Sequence, residues 1–232
     1  VTIACACAGI IIGSVFVSGL GLKFTQSVID LSGGVLFILL CLTAISAIIL
    51  GMGMTTTAVY ITVAALIVPS LIEAGIIPIA AHMFAFYFGV VSTITPPVAL
   101  ASFAGAAIAK SPPMATAVES SKVGIAKYIV PFAFVYNPSL LMEGPIIWSL
   151  YSLIAVLLAY WLMTLGLEGW FNGKLNTYKR TLVLLGSVTL LIPPLEIIYG
   201  LNGFYYNLVG VLVLLIIYFL QDKLTFKSKV TT

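Results

Sequence analysis

A chain of 232 residues that is 62% hydrophobic and only 7% charged, with a mean hydropathy of +1.22, cannot present a wettable surface. A soluble domain carries about a quarter charged residues, so a soluble enzyme or a nucleic-acid-binding domain is excluded and the outer surface must face lipid. The net charge of +3 says little by its size and much by where the cations fall.

Crossing a hydrocarbon core of about 30 Å takes roughly 20 apolar residues per helix. Thr2 to Leu22 is uncharged and is predicted to be one such helix, with Gly9 and Gly13 spaced for close helix packing. Lys23 and Asp30 are expected to flank an outer loop, which completes a first segment, 1–30. The chain begins at Val1 inside an apolar stretch, without the basic region of a signal peptide. An N-terminal portion of a larger protein is therefore expected to be missing. Cys5, Cys7 and Cys41 lie in apolar runs and are expected to behave as small hydrophobes, not as disulfides or metal ligands.

Leu31 to Ile72 is uncharged and about twice the length of one helix, and its middle is Gly51-Met52-Gly53-Met54-Thr55-Thr56-Thr57. Segment 31–74 is predicted to be a re-entrant helical hairpin. Ala74 to Ala109 is also too long for one straight helix and is interrupted by Ser92-Thr93-Ile94-Thr95-Pro96-Pro97; segment 75–110 is predicted to be a broken transmembrane helix. The weakly amphipathic stretch Ser111 to Lys127 is predicted to be a cytoplasmic surface connector, 111–127. A transmembrane helix is predicted over 128–143. Three more, Ile146 to Gly166, Thr181 to Tyr199 and Phe204 to Leu220, fill 144–232 with a basic tail.

The cations test this layout. Lys110, Lys122 and Lys127 fall in one connection, Lys174, Lys179 and Arg180 in another, and Lys223, Lys227 and Lys229 in the tail. All three clusters land on one face, cytoplasmic by the positive-inside rule, provided that Leu31–Ile72 enters and leaves from the outer face or crosses twice. Glu143 and the Glu73–Pro78 loop then lie outside.

The two interruptions carry the functional argument. Irregular backbone at membrane depth leaves unpaired N–H and C=O groups and survives only where protein or a water-filled cavity covers it. In secondary transporters, paired broken helices meet near the midplane and hold substrate and coupling ion. Gly51 and Gly53 permit backbone conformations that other residues resist, and Thr55, Thr56 and Thr57 add hydroxyls that can ligate a hard cation or cap a helix. Pro96 and Pro97 remove two donors and free upstream carbonyls, beside the oxygens of Ser92, Thr93 and Thr95. Oxygen ligands without carboxylates suit a weakly held monovalent ion, not zinc and hardly calcium. The alternative is a Gly-rich turn and a Pro-kinked helix that serve packing alone.

At these residues the sequence resembles a known family. Leu50 to Tyr60 is similar to the hairpin tip in the large permeases of tripartite ATP-independent periplasmic (TRAP) transporters. Ala80 to Gly89, Ser92 to Leu100 and Tyr136-Asn137-Pro138-Ser139-Leu140-Leu141 continue the resemblance. It is dense over about Gly13 to Glu143 and points to the fused permeases that work with TAXI-type binding proteins. The last three spans resemble that subgroup only in being extra C-terminal helices.

The resemblance implies an all-α polytopic membrane protein with an elevator-type fold, built from two inverted repeats, each with one re-entrant hairpin and one broken helix. Only one repeat is present here, so the missing N-terminal half is an expected partner. Na⁺-coupled import of a small organic anion, delivered by a periplasmic solute-binding protein across the bacterial inner membrane, is the implied activity. Gly51, Gly53, Thr55, Thr56, Ser92 and Thr95 would then bind Na⁺. Met54, Thr57, Thr93, Pro96 and Pro97 would contact the solute. Many family members have Pro where this chain has Thr55.

His82, an ionisable group in a membrane segment, is either hydrogen-bonded at the interface or a proton relay. Glu196 is expected to snorkel to water near an outer helix end, and Trp148, Trp161 and Trp170 to anchor at the interfaces. The sequence holds no nucleotide-binding loop, zinc pattern or nucleophile–base pair. No enzyme activity, no cofactor beyond Na⁺ as coupling ion and no nucleic-acid partner is expected; membrane lipid is. The competing functions are a structural or assembly subunit whose breaks merely pack, and a membrane enzyme, which would need acidic metal-binding pairs.

Overall fold

The computed structural model describes residues 17–171, 173–193 and 203–215, together with 6, 9, 10 and 13–15, and the backbone of 197, 198, 201 and 202. Glu196, Cys5, Cys7 and the basic tail from Lys223 lie outside the described residues. The chain divides into two compact units, Val1–Val135 and Tyr136–Thr232.

The first unit is a set of short helices. Helix α1 spans Leu20–Ser32, between Gly19 (φ 64°) and Gly33 (φ 57°), both left-handed. This corrects the expected loop between Lys23 and Asp30. Those residues are polar but helically periodic, and Thr25, Val28 and Ser32 share the buried face. Helix α2 (Leu36–Gly51) and helix α3 (Thr56–Leu66) are separated by Met52–Thr55, and α4 (Val68–Glu73) follows at Pro69. Helix α5 (Pro78–Val91) is separated from α6 (Leu100–Ala109) by residues 92–99. Helix α7 (Pro113–Val123) and helix α8 (Ala126–Tyr136), with Pro131 inside it, complete the unit.

The core forms where α2 and α3 both pack on α5. Leu39, Leu40, Ala44 and Ala47 of α2, Val59 and Val63 of α3, and Ala80, Ala81, Phe84 and Ala85 of α5 are buried. Gly89 sets the closeness of approach: a Cβ there would lie 2.6 Å from Val59 Cγ1. Phe132 of α8 closes the core against Phe84 (ring centroids 5.4 Å apart), Phe88 (5.7 Å) and Phe37 (6.0 Å).

At 16 and 11 residues, α2 and α3 are about 24 Å and 17 Å long. Neither reaches across a hydrocarbon core. The expected membrane-spanning helix over 128–143 is also shorter than read. Helix α8 stops at Tyr136, and a 3₁₀ turn, Pro138–Leu141, replaces its continuation. Pro138 supplies the reason, since it lacks an N–H and disfavours helical backbone in the residue before it; Asn137 sits at φ −130°, ψ 80°.

The second unit holds α9 (Ile146–Glu168), α10 (Thr177–Leu190) and α11 (Gly203–Leu215). Among the described residues α9 alone is long and apolar enough to cross a membrane by itself. The span expected over Thr181–Tyr199 ends early, at Leu190, ahead of Pro193. A two-residue β-ladder pairs Ile197–Ile198 with Leu201–Asn202. Glycines bring the three helices close: added Cβ atoms would meet Leu184 at Gly166 (2.8 Å), Val213 at Gly186 (2.8 Å) and Leu190 at Gly210 (2.5 Å). Arg180 closes the C-terminal end of α9, donating to the carbonyls of Gly166 (3.0 Å) and Leu167 (2.7 Å). Buried Asn207 donates to the carbonyls of Thr189 (2.8 Å) and Ile192 (3.2 Å) and accepts from the Tyr151 hydroxyl (3.3 Å).

Candidate functional site

The two helix breaks of the first unit meet at one buried hydroxyl. Ser92 is 2% exposed. Its single hydroxyl proton is shared between the Gly89 carbonyl one turn earlier (2.6 Å) and the carbonyl of Gly51, the last residue of α2 (3.0 Å). Glycine is required at 51 because a Cβ would fall 2.5 Å from Ser92 Oγ, 2.9 Å from Ser92 Cβ and 3.0 Å from the Gly89 oxygen. The α2 C-terminus is thus held directly on the end of α5. Of the residues singled out from sequence, Gly51 and Ser92 are joined by a side-chain hydrogen bond that runs from one break to the other.

Beyond Gly51 the chain turns through Met52 (ψ 122°) and Gly53, whose φ of 80° only glycine adopts freely. Thr55 then stands at the N-terminal end of α3 in extended backbone, and its side chain makes no capping bond. Thr55, Thr56 and Thr57 are all exposed, and Met54 is half-buried. The α3 N-terminus therefore presents free amide protons and three hydroxyls on the outside of the tip.

The second break is built differently. Thr93 and Thr95 donate their hydroxyl protons back to the carbonyls of Val90 (2.8 Å) and Val91 (2.7 Å). The Ala101 N–H reaches across the break to the Thr93 carbonyl (3.0 Å), and the Ala99 N–H bonds the Thr95 carbonyl (3.2 Å). Pro96 is half-buried, Pro97 is exposed, and the peptide between them is cis.

Two residues that sequence reasoning passed over complete this arrangement. Tyr128 OH lies 2.7 Å from Thr95 Oγ1, and Ser121 Oγ donates to the Ile94 carbonyl (3.0 Å). Tyr128 OH and Ser121 Oγ are themselves 3.4 Å apart. A groove of about 340 Å³ beside them is lined by Pro96, Val118, Ser121, Lys122, Ile125 and Tyr128. Lys122 is exposed and ion-paired with Glu119 at 2.9 Å. The sequence separation of 33 between Thr95 and Tyr128 hides this contact from any local pattern.

Away from the breaks, His82 Nδ1 is 3.0 Å from Tyr60 OH, which ties α5 to α3 on an exposed face. Phe86 packs edge-on against Tyr60 at 5.6 Å. Cys41 is half-buried in α2 rather than buried. Trp161 is 44% exposed and Trp170 63%.

A family model described as Tripartite ATP-independent periplasmic transporter, DctM component, matches residues 1–172. The chain belongs to this family. Membership makes this DctM component an integral membrane protein and the permease part of a TRAP transporter. The match takes in α1 through the end of α9, so α9 lies within the family's common region, whereas, among the described helices, α10 and α11 lie beyond it. No match to the chain was found among curated proteins or among solved structures.

Proposed function

We propose that this DctM component takes up a small organic anion, handed over by a periplasmic solute-binding protein of the TAXI type, and couples its entry to Na⁺. In this reading it forms one of two inverted repeats of an elevator-type permease in the bacterial inner membrane, with a cytoplasmic C-terminus. Helices α2 and α3 are the two arms of a re-entrant hairpin. Helices α5 and α6 are the halves of the broken helix, and 111–127 is the cytoplasmic connector. The single observation that carries the proposal is the Gly51–Ser92 bond. It ties the hairpin tip to the break of the next helix and leaves Thr55, Thr56 and Thr57 exposed beside it. Two discontinuities held together at the ends of apolar helices are what a midplane ion and solute site requires.

The residues proposed for Na⁺ are Gly51, Gly53, Thr55, Thr56, Ser92 and Thr95, with Met54, Thr57, Thr93, Pro96 and Pro97 facing the solute. A purely structural reading of the breaks draws support from the inward hydrogen bonds of Ser92, Thr93 and Thr95. A hydroxyl that has donated its proton still carries lone pairs, however, and the exposed Thr55 makes no capping bond.

The test is thermal stability of the intact permease in detergent, in NaCl against equal KCl. A ligand that binds only the folded state raises stability by mass action, so a Na⁺-specific rise is expected. It should be reduced in Thr55→Val and in Thr95→Val. A rise equal in both salts would remove Na⁺ from the proposal. Weight would then move to proton coupling through His82 or to breaks that only pack.

A further inference from the structure

We propose that Tyr128 is a positioning residue for Thr95: its hydroxyl fixes the Thr95 oxygen at the break and locks the break to the α7–α8 connector. This rests on the proposed role of Thr95 in holding Na⁺, and adds to it a residue on a different element.

Proton bookkeeping gives the direction of the key bond. Thr95 Oγ1 is 2.7 Å from the Val91 carbonyl and 2.7 Å from Tyr128 OH. A threonine hydroxyl has one proton. A carbonyl has none, so the Thr95 proton must lie towards Val91; otherwise two oxygen lone pairs would face each other at 2.7 Å. Tyr128 is therefore the donor to Thr95. Ser121 spends its own proton on the carbonyls of Ile94 (3.0 Å) and Ala117 (3.1 Å); its oxygen also faces the Tyr128 proton, but at 3.4 Å against 2.7 Å for Thr95, so the shorter contact takes that proton. With one proton given and one accepted, Thr95 Oγ1 retains a single free lone pair, and its χ1 is fixed from both sides. In this way a residue that does not itself touch the ion orients a metal-binding oxygen.

An independent contact makes the same connection rigid. Ile94, next to Thr95, sits over Gly124 at the end of α7. A Cβ on Gly124 would lie 2.7 Å from Ile94 Cδ1 and 3.0 Å from the Ser120 oxygen. The break is thus held at successive residues, Ile94 by Ser121 and Gly124, and Thr95 by Tyr128. Displacement of the connector would carry the Thr95 oxygen with it.

The experiment is a Na⁺ titration of the melting temperature of the intact permease, run on wild type, Tyr128→Phe, Thr95→Val and the double variant. Tyr128→Phe keeps the ring, and its melting temperature in KCl checks that it folds. Removing an outer-shell partner commonly costs at least about 10-fold in metal affinity, so the half-saturating Na⁺ concentration should rise by about that factor in Tyr128→Phe. The double variant should go no further than Thr95→Val alone. A loss of KCl stability with unchanged half-saturation would make Tyr128 purely structural and overturn the inference. So would a double variant weaker than Thr95→Val by the full Tyr128→Phe factor, because Tyr128 would then act independently of Thr95. If Thr95→Val itself leaves the Na⁺ response intact, the ion-site reading falls and takes this inference with it. An effect confined to Thr95→Val sinks the Tyr128 role alone.

Discussion

The two breaks of the first unit solve one problem in opposite ways. At Met52–Thr55 the chain turns on the torsional freedom of Gly53, and its hydroxyls face outward, without a capping bond at Thr55. At 92–99 the turn is closed by side chains: the three hydroxyls of Ser92, Thr93 and Thr95 each reach back to a carbonyl of α5, and Tyr128 and Ser121 clamp it from outside. A backbone group freed at membrane depth must find a partner. The second break finds its partners within the chain, whereas the first leaves its helix N-terminus for a ligand or solvent to satisfy. The first break is therefore the half suited to presenting groups, and the second the half suited to holding shape. Substitutions should cost stability at the second and along its contact with the first, and function alone at the tip.

Gly51→Ala should produce the largest effect, because it strikes the point where a hydrogen bond joins the two breaks. The new methyl group would meet Ser92 on one side and the Gly89 carbonyl on the other. The backbone carbonyl cannot swing away. Overpacking of this kind costs about 1–3 kcal/mol, and a fall in melting temperature corresponding to the upper part of that range is expected in KCl and NaCl alike. Adding Ser92→Ala removes the 2.5 Å contact with Oγ but leaves Cβ at 2.9 Å and the Gly89 oxygen at 3.0 Å. The double variant should thus recover part of the loss, a non-additivity expected of side chains in contact. Full additivity would mean that the breaks do not meet at these two residues.

Gly124→Ala sharpens the account of how the second break is held. Its clash falls on Ile94 Cδ1, the free end of a flexible side chain, and on the Ser120 oxygen. Ile94 can rotate, so a smaller loss than at Gly51 is expected, about 1 kcal/mol, read as a melting shift in KCl. A neutral substitution would show that Ser121 and Tyr128 suffice without the Ile94 contact.

What the sequence made legible follows from this difference. The first break advertises itself, since glycines and threonines clustered in an otherwise apolar run mark an interrupted helix. The second was visible as Pro96-Pro97 with flanking hydroxyls, but its clamp was not. Tyr128 looks like the start of an ordinary apolar span and Ser121 like one polar residue of a surface helix, and their role exists only once the chain folds back across the break. Helix lengths were misjudged for a related reason. Hydropathy does not see that Pro138 ends α8 or that Pro193 ends the span begun at Thr181, because proline interrupts the backbone without making the segment more polar. The loop expected from Lys23 to Asp30 failed in the other direction: polarity suggested a connection where the period of buried Thr25, Val28 and Ser32 makes a helix.

Thr55→Val is the smallest change in stability and the most pointed test of the comparison. Thr55 is exposed and caps nothing, and a substitution at such a position ordinarily shifts stability by no more than about 0.5 kcal/mol. Valine is close to threonine in shape, so the melting temperature in KCl should match wild type, while the additional stability conferred by NaCl should shrink. Thr95→Val should reduce the Na⁺ response too, but it also strips Val91 and Tyr128 of a hydrogen-bond partner, and leaving such groups unpaired costs about 1–3 kcal/mol. The two variants should therefore separate on the KCl axis and coincide on the Na⁺ axis. Were Thr55→Val to lower KCl stability as much as Thr95→Val, the tip would be as structural as the break behind it, and the division of labour between them would be wrong.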